Sequence, residues 1–240
     1  MFGVSRQAMA KWLSDGPPAI RRDQVALLDQ STDLLDRWIK RDRIPAVVRR
    51  VARGSLIESS LLERHVWLRL TQSHFRNAFD MSYAQERGGR WNRPRSWPTL
   101  YLNDDLATVH AQVRHLFAGR GIDPDDLDDT APIELAAATL PQRQRVADVV
   151  SGPGVASVGL PSTYPVDDAG VIVDHALTQN IGVCVHDAGL RGVWCRSATM
   201  TGNELAWFPA DRSVARPYWS KPLPYGSWRH AVTLFDVIEQ

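Results

Sequence analysis

The most specific stretch of the sequence is Arg87–Asn92 (RGGRWN), followed after five residues by Pro98–Leu102 (PTLYL). Two adjacent glycines let the backbone approach another group closely, and Arg90 beside them can pair with a phosphate or a carboxylate in a bidentate fork. Trp91 offers a flat stacking surface. Composition alone leaves a second interpretation open, in which the loop is a surface turn with a structural arginine and a buried tryptophan.

Landmarks on both sides of this loop resemble the RES domain, a family named for Arg, Glu and Ser. Arg69 stands where the first arginine of the family ends the opening strand. Arg90 matches the glycine-arginine-tryptophan loop, and Tyr101 matches the aromatic residue on the next strand. The resemblance spans most of residues 65–210 and includes a late helix at Gln179–Gly182 and a closing strand at Gly192–Ala198.

The resemblance implies an ADP-ribosyltransferase-like fold and a toxin that hydrolyses or phosphorolyses the nicotinamide glycosidic bond of NAD. NAD is then a substrate, and no cofactor is expected. Arg69 and Arg90 would bind the pyrophosphate, and Trp91 and Tyr101 would contact the nucleotide. Departure of nicotinamide builds positive charge on the ribose, so a carboxylate nearby would lower the barrier.

Two positions depart from the pattern of the family. Counting from Tyr101, the glutamate position is occupied by Gln112, and counting back from Gln179, the serine position is occupied by Ala176. Arg69 is therefore the intact member of the three, and Gln112 and Arg69 are the catalytic candidates. A glutamine can bind a ribose hydroxyl but supplies no charge, so Gln112→Glu is expected to raise the rate of NAD cleavage.

These departures leave two functions open. The first is an NAD-degrading enzyme in which another group supplies the charge, with Asp104, Asp105 or the loop Ser162–Tyr164 as candidates. The second is a RES-fold module that has lost its chemistry and binds a nucleotide or a protein partner in a toxin–antitoxin system.

The large second part of the chain predicts an α+β domain with a mixed sheet, over residues 64–240. Strand-length apolar runs do not strictly alternate with helices, which disfavours a doubly wound sheet. Helices are predicted near Asp105–Phe117 and His175–Ala188. Strands are predicted at His65–Leu70, Thr99–Leu102, Ile133–Ala138, Gly192–Cys195, Glu204–Phe208 and Ala231–Val237.

Residues 1–56 predict a small all-helical segment that precedes this domain. Gly3–Leu13 resembles the turn and recognition helix of a bacterial helix-turn-helix repressor, and Asp23–Arg53 resembles the antitoxins encoded beside RES toxins. The helix that should precede the turn is absent, so DNA binding is not expected of the sequence as written. A remnant or partner-contact segment, a true start upstream of Met1, and a working DNA reader all remain open. The expected partner is an antitoxin-like protein or a second copy of the chain.

Composition excludes several other classes of protein. The chain has 240 residues, of which 44% are hydrophobic and 23% charged, as in a globular protein. Residues 1–64 carry a net charge of +4 and the remainder −3, which gives no overall reason to invoke nucleic acid. No apolar run is long enough to span a membrane, so a cytoplasmic location is expected. Cys184 and Cys195 lie outside any paired-ligand spacing for zinc, and no metal site is expected.

Overall fold

The fold was obtained as a computed structural model that describes residues 56–61, 65–120, 122–210 and 214–238. The chain divides into two compact units, Met1–Ala46 and Val47–Gln240. The predicted helical segment, including its resemblance to a helix-turn-helix, lies outside the described residues, which begin at residue 56. In the described part of the chain, no helix is long and apolar enough to cross a membrane.

The described residues form one sheet of nine short strands. The strands are β1 (Glu58–Ser60), β2 (Val66–Gln72), β3 (Leu100–Asn103), β4 (Ile133–Thr139), β5 (Arg145–Val149), β6 (Gly192–Arg196), β7 (Asn203–Trp207), β8 (Arg216–Pro217) and β9 (Leu223–Pro224). Their order across the sheet is β1-β5-β6-β7-β3-β2-β4-β8, and β9 also pairs with β4. The pairs are antiparallel except β5 with β6, which is parallel.

Five helices accompany this sheet in the described residues. They are α1 (Ser82–Arg87), α2 (Leu106–Phe117), α3 (Gly152–Ser157), α4 (His175–Asp187) and α5 (Leu234–Ile238). Helix α2 begins where the Asp105 side chain accepts a hydrogen bond from the Thr108 N–H, and α4 begins where Asp174 accepts one from the Ala176 N–H. Aspartate is a favoured residue at this position because it satisfies a free N–H of the first turn.

The register of the strand pairs determines which side chains lie on the same face of the sheet. Glu204 on β7 lies directly opposite Asn103 on β3 and opposite Cys195 on β6. Directly opposed residues point to the same face, so these three side chains form a row across the sheet. Helices α2 and α4 cover this face, since Val109 is buried with Leu68 in one apolar cluster. A second cluster buries Ile181 and Val185 of α4 with Cys195.

The opposite face is buried by large side chains of alternate strand positions. Trp67, Leu102, Leu205 and Trp207 are each at most 3% exposed and form one cluster there. The strands are therefore apolar on both faces, which is why they appear in the sequence as continuous apolar runs rather than as alternating ones.

Most of the predicted elements are confirmed, and one is wrong. The helices near Asp105–Phe117 and His175–Ala188 and five of the six strands are present within one or two residues. The predicted strand Ala231–Val237 is instead helix α5. Its first turn is stabilised because the Asp236 carboxylate accepts hydrogen bonds from the backbone N–H groups of Val232 and Thr233. Strand β5, which carries the charged residues Arg145 and Asp148, is not among the predicted strands.

Candidate functional site

The loop after α1 is shaped by its two glycines. Gly88 ends α1 with φ at +76°, a conformation that L side chains rarely adopt. A Cβ atom on Gly89 would collide with the Tyr101 ring, so the second glycine permits a close approach between the loop and β3. The RGGRWN stretch is therefore a loop held tightly against the sheet.

Tyr101 holds this loop through its hydroxyl group. The hydroxyl accepts a hydrogen bond from the Trp91 N–H at 2.9 Å and donates one to Asn92 Oδ1 at 2.8 Å. Asn92 is fully buried and donates in turn to the Ala84 carbonyl oxygen at 2.7 Å. Burial raises the pKa of Tyr101 well above its usual value, so the group remains a neutral hydrogen-bonding phenol. Tyr101 acts primarily as a positioning residue for the loop.

Trp91 does not offer the stacking surface that the sequence suggested. Its side chain is 1% exposed and lies in the apolar core with α4 and β6. The indole N–H donates to the Cys195 thiol at 3.2 Å, and the ring is tilted against Tyr164. A fully buried indole has no free face for a nicotinamide ring. The second interpretation of the sequence, a buried tryptophan, is therefore the right one for Trp91.

Helix α4 fastens the same loop from the other side. The Thr178 hydroxyl donates to the Arg90 carbonyl oxygen at 2.6 Å, and the Gln179 side chain donates to the Gly89 carbonyl oxygen at 2.9 Å. Gly182 lies so close to the Trp91 carbonyl that a Cβ atom there would overlap it. The stretch Gln179–Gly182 (QNIG), which the resemblance to the family includes, thus holds the backbone of the Arg87–Asn92 loop in place.

In the loop held by these contacts, the Arg90 side chain lies near those of Tyr164, Cys195 and Glu204. Burial lowers the pKa of the Arg90 guanidinium, but Tyr164, Cys195 and Glu204 outweigh that effect, so the pKa is raised overall. Of these three neighbours, Glu204 is the one with a carboxyl group. Burial also raises the pKa of Cys195 to about 12, which leaves its thiol protonated and unsuited to act as a nucleophile.

Gln112 on α2 contacts this group through Glu204. The Gln112 amide donates to Glu204 Oε1 at 3.2 Å and accepts a hydrogen bond from Asn103 Nδ2 at 3.0 Å. The Ser197 hydroxyl donates to the same Glu204 oxygen at 2.5 Å. Glu204 was not a candidate from the sequence, although it begins a predicted strand. Only the pairing of β3 with β7, about one hundred residues apart, brings it to Gln112.

Arg69 lies in a separate cleft rather than beside Arg90. The cleft has a volume of about 270 Å³ and is lined by Arg69, Phe75, Asn77, Asp80, Tyr83 and Leu116, among others. Arg69 Nη2 donates to the Asp80 carbonyl oxygen at 3.3 Å. Burial lowers the pKa of Arg69, and the Asp80 carboxylate opposes that shift. The resemblance implied that Arg69 and Arg90 bind one pyrophosphate together, but Arg90 does not line this cleft.

The cleft and the Gln112–Glu204 pair are nevertheless neighbours along α2. Leu116, which lines the cleft, follows Gln112 by four residues and so lies on the same face of the helix. One helical turn advances about 5.4 Å. The cleft therefore reaches α2 near Gln112, but Arg69 follows Leu68 on β2, and its side chain points to the face of the sheet opposite that of Leu68, Asn103 and Glu204.

Both arginines have a buried nitrogen that lacks a partner among the described residues. These atoms are Nη1 of Arg69 and Nη1 of Arg90, and the Oδ1 atom of Asn103, which contacts Gln112, has none either. A buried polar group without a partner costs about 1–3 kcal/mol, so each of these atoms marks a position where a polar ligand or a water molecule can bind.

The remaining sequence candidates serve other purposes. Ala176 is exposed at the first turn of α4, and the structure does not bring it to Gln112. Asp104 is paired with His65 at 2.9 Å, and Asp105 caps α2. In the loop Ser162–Tyr164, the phenol of Tyr164 is the group that lies near Arg90. No group of three or more His, Cys, Asp or Glu within the described residues could hold a metal ion.

Comparison with known proteins identifies the family. The sequence model of the RES domain matches residues 65–226, and the chain therefore belongs to the RES domain family. No curated protein matches the chain. Among solved structures, it is similar to a chain of the crystal structure of the M. tuberculosis MbcT–MbcA toxin–antitoxin complex, with 22% sequence identity and a TM-score of 0.57. The match covers 75% of this chain and 93% of the other, and it confirms the fold.

Proposed function

We propose that this chain is the toxin of a toxin–antitoxin pair and that it cleaves the nicotinamide glycosidic bond of NAD. Membership of the RES family and the fold shared with a chain of the MbcT–MbcA complex support the first part. The second part rests on the resemblance together with the charged groups around Gln112. NAD is the substrate in this proposal, and no cofactor takes part.

The observation that carries the proposal is the buried guanidinium of Arg90. It lies close to the Tyr164 phenol and to Glu204, and its Nη1 atom makes no other hydrogen bond within the described residues. A pyrophosphate accepts charge-assisted hydrogen bonds from such a group, and these are about twice as strong as neutral ones. Arg69, in its own cleft, provides a second positive charge for a long substrate whose pyrophosphate carries two negative charges.

Catalysis would consist of positioning and electrostatic stabilisation. Arg90 would bind the pyrophosphate, and Arg69 would contact another part of the substrate from its own cleft. Tyr101 would keep the Arg90 loop in place through its hydrogen bonds to Trp91 and Asn92. Gln112 would bind a ribose hydroxyl. Because the two arginines have separate environments, a substrate that spans several charged and polar groups fits better than a compact anion.

The proposal is tested by measuring nicotinamide release from NAD with and without phosphate, and NAD binding by calorimetry. Arg90→Ala should weaken binding at least tenfold, because a hydrogen bond to a charged group contributes about 1.5–3 kcal/mol. Arg95→Ala is the matched control, since its side chain is largely exposed and pairs with Glu86. A native protein that neither binds NAD nor releases nicotinamide would contradict the proposal.

A second function is favoured by the neutral side chain of Gln112. Without a carboxylate at that position, the same arginines could bind a nucleotide without cleaving it. Binding of NAD with no release of nicotinamide would establish this alternative. In both cases the proposed protein partner is an antitoxin-like protein or a second copy of the chain, which light scattering of the purified protein distinguishes.

A further inference from the structure

We propose that Glu204 is the catalytic carboxylate of this protein and that it replaces, from strand β7, the charge that Gln112 lacks on helix α2. This inference rests on the proposed function and names a residue that the pattern of the family did not indicate. It follows from the hydrogen bonds, register and charge around Glu204.

Geometry places the Glu204 carboxylate against the position that has lost its charge. Gln112 and Ser197 both donate to Oε1, at 3.2 and 2.5 Å. Oε2 makes no hydrogen bond within the described residues, so it is the oxygen that can face a substrate. Glu204 and Gln112 are both partly exposed, which leaves the pair accessible to a ligand.

The positive charge of Arg90 and the hydrogen bonds to Oε1 hold the Glu204 carboxylate in place, while Oε2 stays free to act on a substrate. Arg90 provides the opposite charge that a partly buried carboxylate requires. The two hydrogen bonds to Oε1 restrict the side chain, so little reorganisation is needed when positive charge develops nearby. Glu204 therefore has the features of a preorganised electrostatic group.

Competing carboxylates near α2 are already engaged. Asp104 accepts hydrogen bonds from His65 and Asn203, and Asp105 accepts them from the N–H and hydroxyl of Thr108. If Asp105 left its partners, α2 would lose its N-terminal cap. If Asp104 left its partners, its partly buried pair with His65 would be broken. Among the described residues, Glu204 is the carboxylate in hydrogen-bond contact with Gln112.

The step assigned to Glu204 is stabilisation of the ribose cation. The bond between the anomeric carbon and the nicotinamide nitrogen breaks, and its electron pair leaves with nicotinamide, which becomes neutral. The positive charge then lies on the anomeric carbon and the ring oxygen, next to the Glu204 carboxylate. Water or phosphate adds to that carbon, and with water the released proton goes to solvent.

The first test compares Glu204→Gln with Glu134→Gln, a change at another partly exposed glutamate on a strand. Glu204→Gln should lower the rate of nicotinamide release on the order of a hundred- to a thousandfold, because a preorganised charge is lost. Glu134→Gln should leave the rate unchanged. Glu204→Asp retains the charge and should remain at least tenfold faster than Glu204→Gln.

If Glu204→Gln releases nicotinamide at the native rate, the inference is overturned and the proposed function stands. Equal losses in Glu204→Asp and Glu204→Gln would overturn it too, because charge would then not be the property that matters. If Glu204→Gln does not fold, as judged by circular dichroism, the comparison of Glu204→Asp with the native protein decides. A rate in Glu204→Asp below one thousandth of the native rate would contradict the inference.

A binding measurement keeps the inference testable if the native protein releases no nicotinamide. A carboxylate beside the nicotinamide should favour oxidised NAD, whose ring is cationic, over NADH, whose ring is neutral. We expect tighter binding of NAD than of NADH by the native protein and loss of that preference in Glu204→Gln. Equal affinities in the native protein, or no binding of either, would overturn the inference.

Discussion

The amide nitrogen of Gln112 donates a hydrogen bond to Oε1 of Glu204 across 3.2 Å, although the two residues are 92 positions apart in the chain. This contact joins helix α2 to strand β7 at Gln112, the residue that the resemblance to the RES domain aligns with a glutamate. A carboxyl group therefore lies within one hydrogen bond of Gln112, although Gln112 itself is neutral.

The contact reverses the expectation for Gln112→Glu. A new carboxylate there would meet Glu204 directly, and two carboxylates in contact raise the pKa of one of them. We expect no increase in nicotinamide release at pH 7 and a loss of stability of about 1.4 kcal/mol for each unit by which that pKa rises. The measurements are a pH–rate profile and denaturant unfolding at pH 6 and pH 8.

The double variant Gln112→Glu/Glu204→Gln is the control for this prediction. It exchanges the two groups and restores one charge, so it should recover the stability that the single change loses. If the single variant is as stable as the native protein at pH 8, the two side chains do not interact as described.

Local elements of this fold could be predicted from the sequence, whereas the site could not. Helix α2 follows from its Asp105 cap and from the spacing of Leu106, Val109 and Val113, which is local information. The RGGRWN loop is likewise visible as a motif. Glu204 reaches Gln112 only through the pairing of β3 with β7, and single-sequence patterns do not specify which distant strands pair.

Trp91 and helix α5 show the same limit of the sequence. The sequence leaves open whether the Trp91 ring is exposed for stacking or buried, because exposure depends on tertiary packing, and in the fold α4 and β6 cover the ring. Helix α5 was interpreted as a strand because its apolar run fits either period, and the Asp236 hydrogen bonds decide in favour of the helix. In both cases the apolar residues can be identified from the sequence, whereas their surroundings depend on the tertiary fold.

Gly182 should be intolerant of substitution even though alanine is the better helix former. Alanine usually stabilises a helix by about 0.8–1 kcal/mol relative to glycine. Here its Cβ atom would overlap the Trp91 carbonyl oxygen, so α4 and the Arg90 loop would have to separate. We expect Gly182→Ala to lower the unfolding free energy by about 1–3 kcal/mol.

Gly152→Ala is the matched control, because a Cβ atom at that position meets nothing within 4 Å. It should leave stability and NAD binding unchanged, whereas Gly182→Ala should weaken both. Chemical unfolding and calorimetry measure the two effects. Equal stability of the two variants would show that the loop and helix are not packed as tightly as the contact implies.

Trp91 should contribute to stability as a core residue and to function only through the loop. Trp91→Ala should cost about 3–5 kcal/mol, since a fully buried aromatic side chain is removed. Trp91→Phe retains most of the apolar volume but loses the hydrogen bond to Cys195, so its cost should be smaller. NAD affinity should persist in Trp91→Phe if the indole ring does not stack on the substrate, and a tenfold weaker affinity would restore the stacking interpretation.

Acid should weaken the fold partly through Asp104. The hydrogen bond from His65 lowers the pKa of Asp104 below its ordinary value of 3.8; burial acts in the opposite direction, and Asn203 assists His65. A carboxyl group whose pKa is lower in the folded state stabilises the protein fully above its ordinary pKa. That contribution is lost as the pH falls through 3.8 toward the lower folded value.

Asp104→Asn should therefore cost about 1 kcal/mol at pH 7. It should also make the unfolding free energy less dependent on pH between 5 and 3. Asp126→Asn, a change at an exposed carboxyl group in the Pro124–Asp126 turn, should reproduce the acid limb of the native protein. Guanidinium unfolding at half-unit steps of pH measures all three proteins. An Asp104→Asn curve parallel to the native one over this range would mean that the His65–Asp104 pair does not stabilise the folded state, because the proton uptake that removes its contribution would then be absent.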